Sequence, residues 1–212
     1  MATRTALDDV KADCRKTAAK CRDKAAREMP EAALQLAGHA RLVKQHFNLN
    51  VIAGYWPIKT ELDCRPLMAA LSEHKQSVMT GNINLALPVI TAAHAPLRFH
   101  LWEQADVLEE GPYQTCQPCA DRPEVDPDLI LVPLLAFDKT YHRLGYGGGF
   151  YDRTLASLAE KGHRFSAIGV AYDTQYLQEV PIGPFDRALD GIITPSGLYL
   201  KDQDDKGWDT EN

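Results

Sequence analysis

The chain carries Leu129-Ile130-Leu131-Val132-Pro133 and, shortly after it, Arg143-Leu144-Gly145-Tyr146-Gly147-Gly148-Gly149-Phe150-Tyr151-Asp152. The first segment is an unbroken apolar run of strand length, as expected of a strand buried on both faces of a sheet. The second puts four glycines into the five residues 145–149, and 150–161 reads as a helix. Strand, glycine loop and helix in that order bring a run of backbone N–H groups and a helix N-terminus to one spot, where an oxyanion such as phosphate can be held. Arg143 adds a fixed positive charge suited to phosphate oxygens. Asp152, in the first helical turn, can hold a cation that accompanies them. Two common phosphate motifs do not fit. A Walker loop ends in Gly-Lys-Ser/Thr, whereas this loop ends Gly149-Phe150-Tyr151. A dinucleotide fingerprint needs a third glycine where Phe150 stands, and it follows the first strand of its domain.

Outward from this segment, strands and helices alternate. Strands are expected at 51–55, 76–79, 85–90, 97–102, 164–171 and 190–194, and a helix capped by Asp63 and running to about residue 74. Before them, two helices flank Met29-Pro30. In the first, Val10, Cys14, Ala18, Cys21 and Ala25 recur at spacings of four and three, an apolar stripe that predicts buried packing roles for Cys14 and Cys21. In the second, 31–46, the inward residues are expected to be Leu34, Ala37 and Leu42. Residues 103–128 hold four prolines and many acids and read as surface loop. The pattern predicts a single-domain, Rossmann-like open α/β sheet, largely parallel, flanked by helices and preceded by an N-terminal helical pair.

Composition narrows the function classes. Of 212 residues, 23 are Lys or Arg and 29 are Asp or Glu, a net charge of −6 that argues against a general nucleic-acid binder. No apolar run approaches the roughly 20 residues of a membrane span, and the polar segment 1–27 does not read as a secretory signal. Five cysteines, odd in number and scattered, predict a reducing compartment, with the cytoplasm as the expected location. Cys116 and Cys119 form a lone CxxC with no second pair at zinc spacing. In 201–212, Lys201 and Lys206 face Asp202, Asp204, Asp205, Asp209 and Glu211, so a disordered acidic tail is expected after a domain of residues 1–200.

Leu134-Leu135-Ala136-Phe137-Asp138, followed by Arg143 through Asp152, resembles the signature of the 5-formyltetrahydrofolate cyclo-ligase family in its bacterial form. Other pieces fall in the family's order. Lys11 and Arg15 resemble its Lys-x-x-x-Arg phosphate pair. Tyr55-Trp56-Pro57 and Glu61-Leu62-Asp63 resemble its folate-contacting segment, and Asp190, just before Ile192-Ile193-Thr194-Pro195, its late acidic residue associated with Mg²⁺. The resemblance runs over about 7–198. It departs at Tyr146 and Gly148, where some members carry Arg and Lys, and at Phe150, where many carry Tyr. The residues are compatible with it on their own account: Lys11 and Arg15, four apart, share one helix face beside the apolar stripe, so both heads can reach a cleft edge.

The resemblance implies ATP-dependent cyclisation of 5-formyltetrahydrofolate to 5,10-methenyltetrahydrofolate with release of ADP and phosphate. The formyl oxygen is phosphorylated and N10 then attacks. It implies that Lys11, Arg15, Arg143, Leu144, Gly145, Tyr146, Gly147, Gly148, Gly149, Phe150 and Tyr151 hold ATP, with Arg143 and Tyr151 catalytic. Trp56, Glu61 and Tyr151 would bind the folate, and Asp152 and Asp190 would hold Mg²⁺. Reduced folate and ATP are the expected partners of a monomer that binds neither nucleic acid nor membrane. Two other readings remain open at this level: a sugar-phosphate isomerase or transferase needing no nucleotide, and a folate- or nucleotide-binding module without turnover.

Overall fold

The computed structural model of the chain describes residues 6–73 and 83–203. Three helices come first: α1 (Ala6–Glu28), α2 (Ala32–Gly38) and α3 (Ala40–His46). Then follow β1 (Val51–Ala53), α4 (Arg65–Ser72), β2 (Asn84–Val89) and β3 (Arg98–Leu101). Three two-residue strands, β4 (Glu109–Glu110), β5 (Cys116–Gln117) and β6 (Glu124–Val125), lead to β7 (Leu129–Pro133). A short hairpin, β8 (Ala136–Phe137) and β9 (Arg143–Leu144), precedes α5 (Phe150–Glu160). The chain closes with β10 (Ser166–Val170), β11 (Gly191–Thr194) and β12 (Gly197–Leu200).

Eight strands form one sheet in the order β12-β11-β10-β7-β1-β2-β3-β6. The central pairings are parallel: β11 with β10, β10 with β7, β7 with β1, and β1 with β2. The edge strands run antiparallel, β12 against β11 on one side and β3 and β6 beyond β2 on the other. This is the largely parallel α/β sheet expected from the alternation of strands and helices. Side chains alternate across it: Leu129 and Leu131 pack with Leu36, Val43, Leu67 and Met68 on the face covered by α2 to α4. Ile130 and Val132 pack with Leu155 and Leu158 of α5 on the other. Burial on both faces is why β7 reads as a continuous apolar run rather than an alternating one.

Several expectations are corrected. The N-terminal pair is three helices, because the second breaks at His39, whose ring nitrogen Nε2 lies 3.0 Å from the Pro195 carbonyl. The inward residues of α2 and α3 are Ala32, Leu36, Ala40 and Val43, and Leu34 points outward at 63% exposure. In α1 the buried positions are Ala18, Arg22 and Ala25, while Val10 and Cys21 are exposed and Cys14 is half-buried. The inner stripe thus contains a long cationic side chain that a hydrophobic pattern passes over. Residues 103–128 hold β4, β5 and β6 within the expected loop. The strand expected at 76–79 and the end of the helix near residue 74 lie outside the described residues. So does the chain beyond 203; of the expected tail, Lys201–Gln203 form a 3₁₀ turn.

Candidate active site

A cleft of about 730 Å³ opens at the carboxyl ends of the parallel strands, beside Tyr55 and Trp56 after β1, Pro88 and Ile90 at the end of β2 and Pro133 at the end of β7. Ligands of open α/β sheets collect at such strand ends. Of the residues singled out from the sequence, Lys11, Arg15, Trp56, Glu61 and every residue from Arg143 to Asp152 line it. Asp190 does not. It stands just before β11, at the opposite end of the sheet, where its carboxylate accepts the Ala167 N–H at 2.7 Å and its own N–H donates to the Ala167 carbonyl. The late acid that does reach the cleft is Asp186.

One wall is cationic. Arg143 is delivered by the β8–β9 hairpin, which the buried Asp138 organises. Asp138 Oδ1 accepts the N–H and hydroxyl of Thr140 at 2.9 and 2.6 Å, and Oδ2 accepts the Val180 N–H at 2.9 Å. The Arg143 guanidinium donates to Asp152 Oδ1 at 2.7 Å and to the Arg187 carbonyl at 2.9 Å. Lys11 donates to Asp186, which also accepts the Gly183 N–H at 2.7 Å. Burial alone would raise the Asp186 carboxyl, but these two bonds and the charges of Lys11 and Arg143 hold it below the usual carboxylate range.

The glycine loop lies against Arg15, whose Nε donates to the Gly145 carbonyl at 2.9 Å. Gly147 and Gly149 adopt φ of +98° and +64°, a region open to glycine at little cost. A Cβ at 147 would also stand 3.2 Å from the Arg15 guanidinium carbon. Gly149 is the N-cap of α5 and carries no side chain to bond the first-turn N–H groups. That helix start is therefore open toward the cleft, and Asp152 sits in its first turn.

The other wall is aromatic around one buried carboxylate. Glu61 is 9% exposed; its Oε2 accepts the Ile58 N–H at 2.9 Å, and its Oε1 lies 3.9 Å from Arg22 Nη1. Burial pushes the Glu61 carboxyl up to about 7, against the opposing pull of the Ile58 N–H and the Arg22 and Lys59 charges. Trp56 is stacked by Arg65, whose guanidinium carbon is 4.1 Å from the ring centroid, and meets Trp102 edge-on. The Tyr151 phenol is pushed well above its usual range by burial and by the nearby Glu61 and Cys64, so it remains a hydrogen-bond donor at neutral pH. Tyr146 projects from the glycine loop toward this wall and accepts a hydrogen bond from Arg22 Nη2.

Arg22, Lys59 and Asp186 are among the residues in or behind the cleft that reading the sequence did not find. Arg22 could have been found, since it stands four residues after Ala18 and three before Ala25, within the buried stripe of α1. Asp186 lies in a loop and carries no periodic signal.

The 5-formyltetrahydrofolate cyclo-ligase family model matches residues 8–195. The Escherichia coli (strain K12) 5-formyltetrahydrofolate cyclo-ligase is 29% identical over 174 residues, covering 80% of this chain and 88% of the relative. The Haemophilus influenzae enzyme of the same name is 31% identical over 169 residues, covering 77% and 85%. In fold, the chain resembles the Aquifex aeolicus 5,10-methenyltetrahydrofolate synthetase, with a TM-score of 0.72 at 24% identity over 90% of this chain and 92% of the other. A glycine loop bordered by Arg143 and Asp152 and a buried Glu61 across one cleft are thus found in a chain that belongs to the 5-formyltetrahydrofolate cyclo-ligase family.

Proposed function

We propose that the chain converts 5-formyltetrahydrofolate to 5,10-methenyltetrahydrofolate at the expense of ATP, in the cleft at the strand ends. Besides family membership, the observation that carries this reading is that a cationic glycine-loop wall and a buried carboxylate within an aromatic wall open into the same cleft. One wall suits a triphosphate and the other a flat heterocycle bearing N–H donors.

The N5 formyl group is an amide-like carbonyl whose oxygen leaves poorly, so ring closure by N10 stalls. Transfer of the ATP γ-phosphoryl to that oxygen releases ADP and turns the oxygen into a phosphate leaving group. N10 attacks the activated carbon, phosphate departs, the N10 proton is lost, and the methenyl bridge remains. Lys11, Arg15, Arg143 and the N–H groups of 145–149 hold the triphosphate, with Arg143 following the phosphoryl group as charge moves. Leu144, Tyr146 and Phe150 shape the loop and its mouth. Glu61 accepts the heterocycle's amino and ring N–H bonds, Trp56 lines its face, and Tyr151 stands between the two walls as a donor to the reacting oxygen.

Mg²⁺ usually takes one or two protein carboxylates beside phosphate oxygens and water. The cleft offers Asp152 to that donor set, whereas Asp190 is not part of its lining and accepts the Ala167 N–H instead. When bound, the ion would neutralise charge on the transferring phosphoryl group. The acidic balance and the odd, scattered cysteine set support small-molecule partners and a cytoplasmic setting.

The test is a near-ultraviolet absorbance assay with (6S)-5-formyltetrahydrofolate and Mg-ATP. A rise that needs folate, ATP and Mg²⁺ together is expected. A flat trace from folded protein would overturn the reading, and an ATP-independent rise would overturn the mechanism.

A further inference from the structure

Arg22 lies in the middle of α1 with 2% of its surface exposed. An arginine out of water is costly unless its donors and its charge are matched. Its Nε donates to Thr60 Oγ1 at 3.2 Å, and Thr60 in turn donates to Asp23. Its Nη2 donates to the Tyr146 hydroxyl, and the guanidinium lies 5.3 Å from that ring's centroid. Its Nη1 is buried with no hydrogen-bond partner among the described residues, yet it faces Glu61 Oε1 at 3.9 Å. An aliphatic residue at this position would pack with no such cost, so stability alone does not account for a cation with an unfilled donor.

The three contacts join α1, which carries Arg22, to two other pieces of chain: the turn holding Thr60 and Glu61, and the glycine loop. Arg22 does not line the cleft itself but sits behind both walls. We propose that Arg22 is a positioning residue: from behind the cleft it favours the ionised form of the Glu61 carboxylate and aims it inward, and through Tyr146 it ties that carboxylate to the glycine loop. The inward aim has a purpose only if Glu61 anchors the folate, so that part rests on the function proposed above, while the Arg22–Glu61 brace does not.

Other groups also face Glu61. Lys59 and Tyr55 come from the segment after β1, Cys64 from the start of α4, and Tyr146 and Tyr151 from the loop and α5. Arg22 and Lys59 are the cations among these. Lys59 is exposed and sits over the Tyr146 ring, 5.5 Å from its centroid, so solvent screens its charge, whereas Arg22 acts from the protein interior.

The test is a ¹³C-NMR titration of the Glu61 carboxyl in ligand-free protein, assigned with Glu61→Gln. Arg22→Met removes the charge and the polar head. Arg22→Gln removes only the charge and keeps a partner for Thr60 and Tyr146, so either variant, once folded, answers the question. The expected result is a Glu61 midpoint raised by about one pH unit or more in the neutral variants, from loss of an opposite charge within ~4–6 Å. Arg22→Lys should bring most of it back. A midpoint unmoved in a folded neutral variant overturns the proposal.

The dissociation constant of 5-formyltetrahydrofolate, followed over pH by tryptophan fluorescence, separates the two layers. Its acid limb should move upward with the midpoint. Weaker binding at every pH with the midpoint and limb unmoved would reduce Arg22 to a packing role and overturn the proposal. A midpoint that moves while the limb stays fixed would uphold the brace and remove Glu61 from folate recognition instead.

Discussion

Replacing Glu61 with Gln should stabilise the protein at alkaline pH while it damages folate binding. The Glu61 carboxyl has an ordinary value of 4.5 and is pushed up to about 7 in the folded chain by burial. A group whose folded value is raised favours the folded state fully below its unfolded value, and that contribution is lost as pH rises through the folded value. The window here is therefore about pH 4.5 to 7. A rise of roughly 2.5 units corresponds to a loss on the order of 3 kcal/mol by pH 8, an upper figure given the Arg22 charge nearby. A Gln side chain has nearly the same shape, can still accept the Ile58 N–H through its amide oxygen, and has no proton to lose. Urea unfolding of both proteins, followed by circular dichroism at pH 5, 6, 7 and 8, isolates the effect, because every other titrating group cancels in the difference. The two proteins should be nearly equal at pH 5, and the Gln variant should be ahead by up to about 3 kcal/mol at pH 8. A variant less stable than the parent at pH 8, or a difference that does not change with pH, would refute this account of the buried carboxylate.

Arg143→Ala should lower turnover about 100-fold or more, since a charge-assisted contact to the moving phosphoryl group is lost; parental kinetics in the methenyl assay would remove Arg143 from catalysis. Gly147→Ala combines a φ of +98° with a Cβ 3.2 Å from Arg15, and should raise the KM for ATP about tenfold while changing the folate KM far less. Gly169→Ala would place a Cβ 2.6 Å from Ile192 and 2.7 Å from Leu134, so thermal or urea unfolding should report about 1–3 kcal/mol of destabilisation from overpacking. Asp190→Asn should leave kcat and the Mg²⁺ requirement within about twofold, because its carboxylate caps the Ala167 N–H away from the cleft; a large loss would return a metal role to that residue.

The central fold was legible because its strands are covered on both faces: 129–133 appears as an apolar run, and 150–161 reads as a helix after the glycine loop. The glycine loop was legible for a different reason, since a cluster of glycines has few explanations besides tight backbone geometry. What stayed hidden depended on contacts between segments distant in sequence. Arg22 looks like one charge among many on a polar helix until Thr60, Glu61 and Tyr146 are folded against it. Asp190 stands beside a recognisable strand and so drew the metal assignment. Asp186, in a loop with no period, is the acid that folding brings to Lys11. Strands as short as β4, β5 and β6 carry no periodic signal at all.

Two cations of the cleft come with their own counter-ions: Lys11 is matched by Asp186 and Arg143 by Asp152. A triphosphate entering this cleft therefore exchanges partners rather than meeting bare positive charge. Affinity should depend on ionic strength less steeply than the count of basic residues suggests, since much of the field is already cancelled inside the protein. The displaced carboxylates would then face phosphate oxygens at close range, a repulsion best relieved if the nucleotide arrives already carrying a divalent cation.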